Sequence, residues 1–252
     1  MIEPIIVNDY EVLQATRRAE LLAELEPQVR GHREFTLEIG AGHGHFLAAY
    51  AAAHPDRFCV GIDIMSDRVR RGLRKRDRAG LANLAFLHAD AGDFMAVLPD
   101  GVSLAEVFVL FPDPWPKRRH WKNRLIQPSF LEILARRAPA GAPLYFRTDY
   151  EPYFEEALAA IDSHADWQLS QETAWPFEHV TVFQARAPSH QSLVALRREP
   201  GAGAAGRTGS AAPDNERTET RPATAEAADS PRKASPARSS GASLERRPAG
   251  GG

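Results

Sequence analysis

Asp113 lies in the string Phe111-Pro112-Asp113-Pro114-Trp115-Pro116-Lys117-Arg118-Arg119-His120, directly after the apolar run Val107–Leu110. That run reads as a buried strand. Three prolines within five residues then forbid helix and further strand pairing alike, because each lacks an N–H and fixes φ. The chain must leave the sheet as a stiff loop carrying a carboxylate, an indole and a burst of positive charge. A carboxylate held at the C-terminal end of a strand sits where open α/β sheets place their chemistry.

Three more acids repeat that placement. Glu38 lies in Phe35–Ile39 just ahead of Gly40-Ala41-Gly42-His43-Gly44, Asp63 follows Phe58–Ile62, and Asp90 follows Leu84–Leu87. In one parallel sheet the four strand ends line a single crevice, so the four acids share one rim. The glycines at alternate positions let the backbone turn sharply and let a ligand approach it closely. Their spacing departs from the Gly-x-Gly-x-x-Gly of dinucleotide domains, and Glu38 repels a pyrophosphate while suiting a cationic amine or sulfonium. S-adenosylmethionine carries no phosphate and fits the loop better than a nicotinamide dinucleotide; on the loop alone both ligands, and plain tight packing, stay open. Asp63 suits the two hydroxyls of a ribose and Asp90 an adenine amine, with helix capping the alternative for each. Four acids on four strands with no supporting histidine pair do not read as a metal site, and no metal is expected.

The elements between these residues must form the sheet. Apolar spacing predicts helices after the glycine loop to about His54, over Ser66–Arg78, Asp93–Leu98, Ser129–Arg137 and Tyr153–Ile161. A fifth strand, Leu144–Phe146, ends at Arg147-Thr148-Asp149, and late strands are expected at Trp167–Gln171 and His179–Ala185. Strands alternating with helices imply an α/β fold, a mostly parallel seven-stranded sheet with helices on both faces and an antiparallel edge strand. Residues 1–34 read as an N-terminal extension with one amphipathic helix near Val12–Leu25, and 35–198 as the main domain.

From Pro200 onward the only large aliphatic residue is Leu244. Such a segment buries too little apolar area to offset its backbone entropy, so 199–252 is expected to be a disordered low-complexity tail. The whole chain has 252 residues and a formal net charge of −2. That balance excludes bulk electrostatic coating of nucleic acid but not a local basic surface. Cys59 is the single cysteine, so there is no disulfide framework, and a cytoplasmic location is expected. No apolar stretch approaches the roughly 20 residues of a membrane span, and the N-terminus does not read as a signal peptide.

Two basic features stand out. Lys117, Arg118, Arg119, Lys122 and Arg124 cluster around His120 and Trp121, which suits phosphates plus a stacked base. Arg68, Arg70, Arg71, Arg74, Lys75, Arg76 and Arg78 crowd one helix, relieved by Asp67 and Asp77, and a solvated face accounts for them as well as RNA contact does.

The proline string, followed by Lys122-Asn123-Arg124-Leu125-Ile126, resembles the bacterial tRNA (guanine-N7-)-methyltransferases. The likeness runs from about Leu37 to Phe183, with Leu37–Gly40, Gly61–Asp63, Asp90-Ala91 and Thr148-Asp149 in the family's order. It implies a class I, Rossmann-like methyltransferase that moves a methyl group from S-adenosyl-L-methionine to N7 of guanine 46 in the tRNA variable loop. It implies that Glu38, Gly40, Gly42, Asp63, Asp90 and Asp113 bind the donor, that Asp113 is also catalytic, and that Lys117, Asp149, Thr181 and Gln184 meet the substrate. Gln184 stands where the family's Thr-x-x-Glu motif has its acid, and Val182 where a basic residue is common, so tRNA preference is open. The implied assembly is a monomer or homodimer, with tRNA as partner and no membrane. Two other readings are a class I methyltransferase acting on another base or on protein, and a tRNA-binding module without catalysis.

Overall fold

The computed structural model describes residues 9–180, 184–186 and 189–200. Thr181 and the tail beyond 200 lie outside them. The elements run α1 (Asp9–Val29), β1 (Glu34–Ile39), α2 (His45–Ala53), β2 (Cys59–Asp63), α3 (Ser66–Ala79), β3 (Leu84–His88), α4 (Ala91–Val97) and β4 (Ser103–Leu110). They continue with α5 (Pro128–Ala135), β5 (Pro143–Thr148), α6 (Glu151–Asp162), β6 (Trp167–Ser170) and β7 (Gln191–Arg197), with short 3-10 turns at Arg118–Asn123 and Gln184–Arg186.

One seven-stranded sheet has the order β3-β2-β1-β4-β5-β7-β6. β1 through β5 pair in parallel, and β7 runs antiparallel between β5 and β6. The winding reverses between β1 and β4, which opens a crevice at their C-terminal ends. The strands are apolar on both sides because both faces are covered. Phe35, Leu37 and Ile39 join Val107 and Val109 in a layer with α1, α4, α5 and α6, while Phe108, Leu110 and Tyr145 meet α2 and α3 on the other face. Residues of α1 at a one-turn repeat, Leu21, Leu25 and Val29, are buried in the first layer, and Arg18 Nε donates to Asp93 Oδ1 of α4 at 2.7 Å.

Two boundaries differ from expectation. The last strand of the sheet is Gln191–Arg197, beyond the expected His179–Ala185, of which residues 181–183 lie outside the described residues. A strand between two neighbours needs apolar side chains on both faces, and Leu193 and Ala195 supply one face while Val194 and Leu196 supply the other. His179 and Val180 have no strand partner, and Gln184 and Ala185 lie in a 3-10 turn. β4 begins at Ser103, ahead of Val107, because buried Glu106 interrupts the apolar pattern without ending the strand. Its carboxylate accepts from Thr36 Oγ1 at 2.8 Å, Tyr50 OH at 2.5 Å and Arg57 Nη1 at 2.6 Å, and donors of this kind offset the desolvation of a buried charge.

The glycine loop is seated by one aromatic ring. A Cβ on Gly44 would come within 2.4 Å of the Phe86 ring, one on Gly61 within 2.7 Å and one on Gly72 within 3.0 Å. Three glycines from the α2 entry, β2 and α3 thus make room for Phe86 of β3, which is itself buried. Gly61→Ala is expected to cost about 1–3 kcal/mol by overpacking, read by urea denaturation. Phe86→Leu in the same background should recover part of that loss. Strictly additive losses in the double variant would show that the ring is not what Gly61 accommodates.

Candidate active site

At the crevice an open cavity of about 230 Å³ is lined by Glu38, Gly40, Gly42, Asp63, Asp90 and Asp113, together with Ile64, Phe46 and Phe111. The four acids that the chain spaces far apart therefore meet at one cavity.

Each is positioned differently. Asp63, at the end of β2, accepts from Gly42 N at 2.9 Å through Oδ2 and from Met65 N at 2.8 Å through Oδ1, so it ties the glycine loop to the start of α3. Arg68 Nη1 stands 3.6 Å from Asp63 Oδ2. Asp90 caps α4, its Oδ1 accepting from Gly92 N at 2.8 Å and Asp93 N at 3.3 Å. Capping and cavity lining coexist in Asp90, so the two alternatives read from the sequence do not compete. Asp113 is exposed, on the loop beyond β4.

Glu38 is the electrostatic anomaly. It is 3% exposed, and its Oε2 has no hydrogen-bond partner among the described residues. Burial pushes its carboxyl up to about 8; a bond from the Leu47 backbone pulls it down, and the nearby Asp63 raises it further. A buried carboxyl with an unsatisfied oxygen is expensive unless a partner arrives. A cation at this cavity is the partner that restores the ionised form. The arrangement therefore fits a ligand with a positive group near Glu38 and hydroxyls near Asp63, which are the features of S-adenosylmethionine.

The proline loop is braced from beneath. Phe111 and Trp115 adopt positive φ, 50° and 45°, a conformation bulky residues rarely take and one that clusters at functional sites. Phe111 N donates to Arg147 O at 2.7 Å, which joins the exits of β4 and β5. Arg124 corrects the sequence reading. Counted there among cations for nucleic acid, it is 3% exposed. Its Nε donates to Pro114 O at 2.9 Å, its Nη1 pairs with Glu156, and its guanidinium lies over Trp121, 4.6 Å from the ring centroid. A charge-assisted bond from a buried guanidinium to the carbonyl after Asp113 holds the loop in place. Trp121 is half-buried and carries this guanidinium on one face of its ring.

The remaining candidates lie outside the cavity lining. Lys117 is exposed at the head of the 3-10 turn, and Asp149 is exposed one residue past β5. β4 and β5 are neighbours with Leu110 opposite Arg147, so Asp149 shares the rim with Asp113. Gln184 is half-buried in its 3-10 turn and does not line the cavity. A contact the sequence does not announce is Arg147, buried at the end of β5. It makes a bidentate pair with Glu178 at 2.8 and 2.9 Å, donates to Ser192 Oγ at 2.8 Å, and lies 4.0 Å from the Trp175 centroid. Only the apolar strand context of Arg147 could have signalled it. Among the described residues no helix is long and apolar enough to cross a membrane.

Residues 32–197 match a family model described as "Putative methyltransferase". The tRNA (guanine-N7-)-methyltransferase of Nitrosococcus oceani is 38% identical over 154 residues, covering 61% of this chain and 65% of that protein. That of Streptomyces avermitilis is 39% identical over 137 residues, 54% of this chain and 47% of that protein, so the chain spans less than two thirds of either relative. That of Hyphomonas neptunium is 38% identical over 157 residues, covering 60% of this chain and 71% of that protein. Among solved structures, the aminoglycoside resistance methyltransferase NpmB1 aligns at 22% identity over 70% of this chain and 93% of that one, with a TM-score of 0.48. By its matched residues and by these relatives, the chain belongs to the bacterial tRNA (guanine-N7-)-methyltransferase family.

Proposed function

We propose that this protein transfers a methyl group from S-adenosyl-L-methionine to N7 of guanine 46 in the variable loop of tRNA, in the cytoplasm. The observation that carries the reading is the convergence of Glu38, Asp63, Asp90 and Asp113 on one cavity, with the Glu38 oxygen buried and unpaired. The relatives, which are named tRNA (guanine-N7-)-methyltransferases, support tRNA and guanine N7 as the target.

S-adenosylmethionine, when bound, supplies an electrophilic methyl on a positively charged sulfur. Glu38 would hold a cationic group of that donor, Asp63 its ribose hydroxyls and Asp90 its adenine amine, while Gly40 and Gly42 leave room for it. Guanine N7 already has an in-plane lone pair and no proton. The protein therefore needs no general base to make the nucleophile, and catalysis rests mainly on positioning. Asp113 accepts hydrogen bonds from the guanine N1–H and amine edge, which grows more acidic as N7 gains positive charge, so its carboxylate stabilises the developing cation. Asp149 assists at the same rim, and Lys117 holds a phosphate. Gln184 offers the substrate an amide in place of a carboxylate, and Thr181, a candidate for the same role, lies outside the described residues.

The direct test incubates the full chain with labelled donor and unmodified tRNA and maps product by cleavage at 7-methylguanine. Asp113→Ala is expected to lower kcat/KM at least about 100-fold while leaving the unfolding midpoint close to wild type, because the side chain is exposed. Activity within a few-fold of wild type would remove Asp113 from the mechanism.

Glu38 gives a second expectation, with a defined sign. Its carboxyl lies at about 8 in the ligand-free fold against an ordinary value of 4.5. Between those values the folded chain binds more protons than the unfolded one, so stability falls as pH rises through that window. Glu38→Gln removes the titration. Its Tm should change less than that of wild type between about pH 5 and about pH 8, and donor binding by calorimetry should be lost. Parallel Tm profiles for the two proteins would mean that Glu38 is already ionised without ligand.

A further inference from the structure

We infer that the outward face of α3, with His43 and His45 beside it, is a docking ridge for the phosphate backbone of the RNA. This rests on the reading above and extends it to a surface beside the donor cavity. In 14 residues α3 carries seven Arg or Lys against two Asp, on a protein whose net charge is −2. The helix holds the sheet by a narrow stripe, with only Val69 and Gly72 buried. Packing therefore requires few of its other positions.

Local pairing does not consume this charge. Asp67 serves Arg70 at 3.2 Å and Arg71 at 3.1 Å, and Asp77 pairs with Arg76 at 2.7 Å. Arg74 and Arg78 have no carboxylate within ion-pair distance among the described residues. The pairs Arg70 with Arg74, Arg71 with Lys75, and Arg74 with Arg78 are all at i,i+4, where like charges oppose helix formation by a few tenths of a kcal/mol each. A helix that carries this repulsion with few internal acids is suited to an external polyanion.

The geometry continues into the active site. Arg71, Arg74, Lys75 and Arg78 line one shallow cavity of about 240 Å³ together with His43 and His45. The same two histidines line the donor cavity, and Lys75 Nζ donates to His43 O at 3.1 Å. The His43 ring is held below its ordinary range, first by burial and then by the charges of Arg71, Arg68 and Lys75. From Arg71 to Arg78 the face extends about 10 Å, enough for about two or three phosphates. A lipid surface is the poorer match, since from Arg71 to Arg78 the only large apolar side chain is Leu73, packed against the core, and the exposed Ile64 and Met65 lie ahead of the stripe.

The test uses the full chain and an unmodified tRNA transcript. In Arg71→Gln/Arg74→Gln/Arg78→Gln, the Kd for tRNA at about 0.1 M salt should rise about tenfold or more, and the slope of log Kd against log salt should fall by about two. KM for tRNA should rise with it, while kcat at saturating tRNA and S-adenosylmethionine binding match wild type. The corresponding triple Arg→Lys variant should keep the wild-type slope, which separates charge from folding. An unchanged slope and KM in the Gln variant overturns the ridge, as does a Gln variant that loses binding to vesicles of anionic phospholipid but not to tRNA. Wild-type protein that transfers no methyl to the transcript overturns the functional reading instead, and binding without turnover still scores the ridge.

Discussion

The Glu38 carboxyl, enclosed beside the glycine loop with one oxygen unpaired, sets the terms for everything around it. Burial alone would drive such a group neutral, and the neighbouring Asp63 reinforces this. The fold accepts that penalty at the point where β1 and β4 diverge, which is where an open sheet leaves room for a ligand. Asp63, by contrast, accepts hydrogen bonds from the Gly42 and Met65 amides. Two carboxyls side by side thus have separate tasks. One fastens the loop, and the other keeps an oxygen without a partner among the described residues.

The opposite wall is built on a different principle. A loop with three prolines has few backbone donors with which to fix itself, so its position must come from outside. Arg124 provides it by reaching back to the Pro114 carbonyl while Glu156 of α6 balances its charge. Removing one partner of such a buried pair leaves an uncompensated charge, which is why these contacts weigh more than surface ones. The positive φ of Phe111 and Trp115 is held in the same way, between the Arg147 carbonyl on one side and the Arg124 brace on the other.

The acids at the crevice were legible in the sequence because each follows a short apolar run, and a parallel sheet has only one C-terminal edge. Arg124 was not legible as a brace. In a cluster of five cations, spacing does not tell the buried one from the exposed ones, and its partner Glu156 is 32 residues away. The last strand was expected too early because the sequence around Val180 has a strand's apolar content. What decides it is the antiparallel pairing of Gln191–Arg197 with β5, a long-range property. Asp90 teaches a further point, since a single carboxyl both caps α4 and lines the cavity.

An acidic crevice poses a problem for any enzyme acting on a polyanion, because Asp63, Asp90 and Asp113 oppose the approach of phosphates. Charge on this molecule is sorted so that the conflict does not arise. Carboxylates occupy the rim, where the proposed function has them accept from the N–H edge of a base and meet the cationic parts of a donor. Cations occupy the flanks, Lys117, Arg118 and Arg119 on the proline-loop side and the α3 stripe on the glycine-loop side. In the proposed function, a backbone drawn to the flanks would turn its phosphates away from the rim and leave the base facing the carboxylates. The same separation gives a protein of near-neutral net charge a strongly positive local surface, and at about 10 Å screening lengths it is the local field that a polyanion meets.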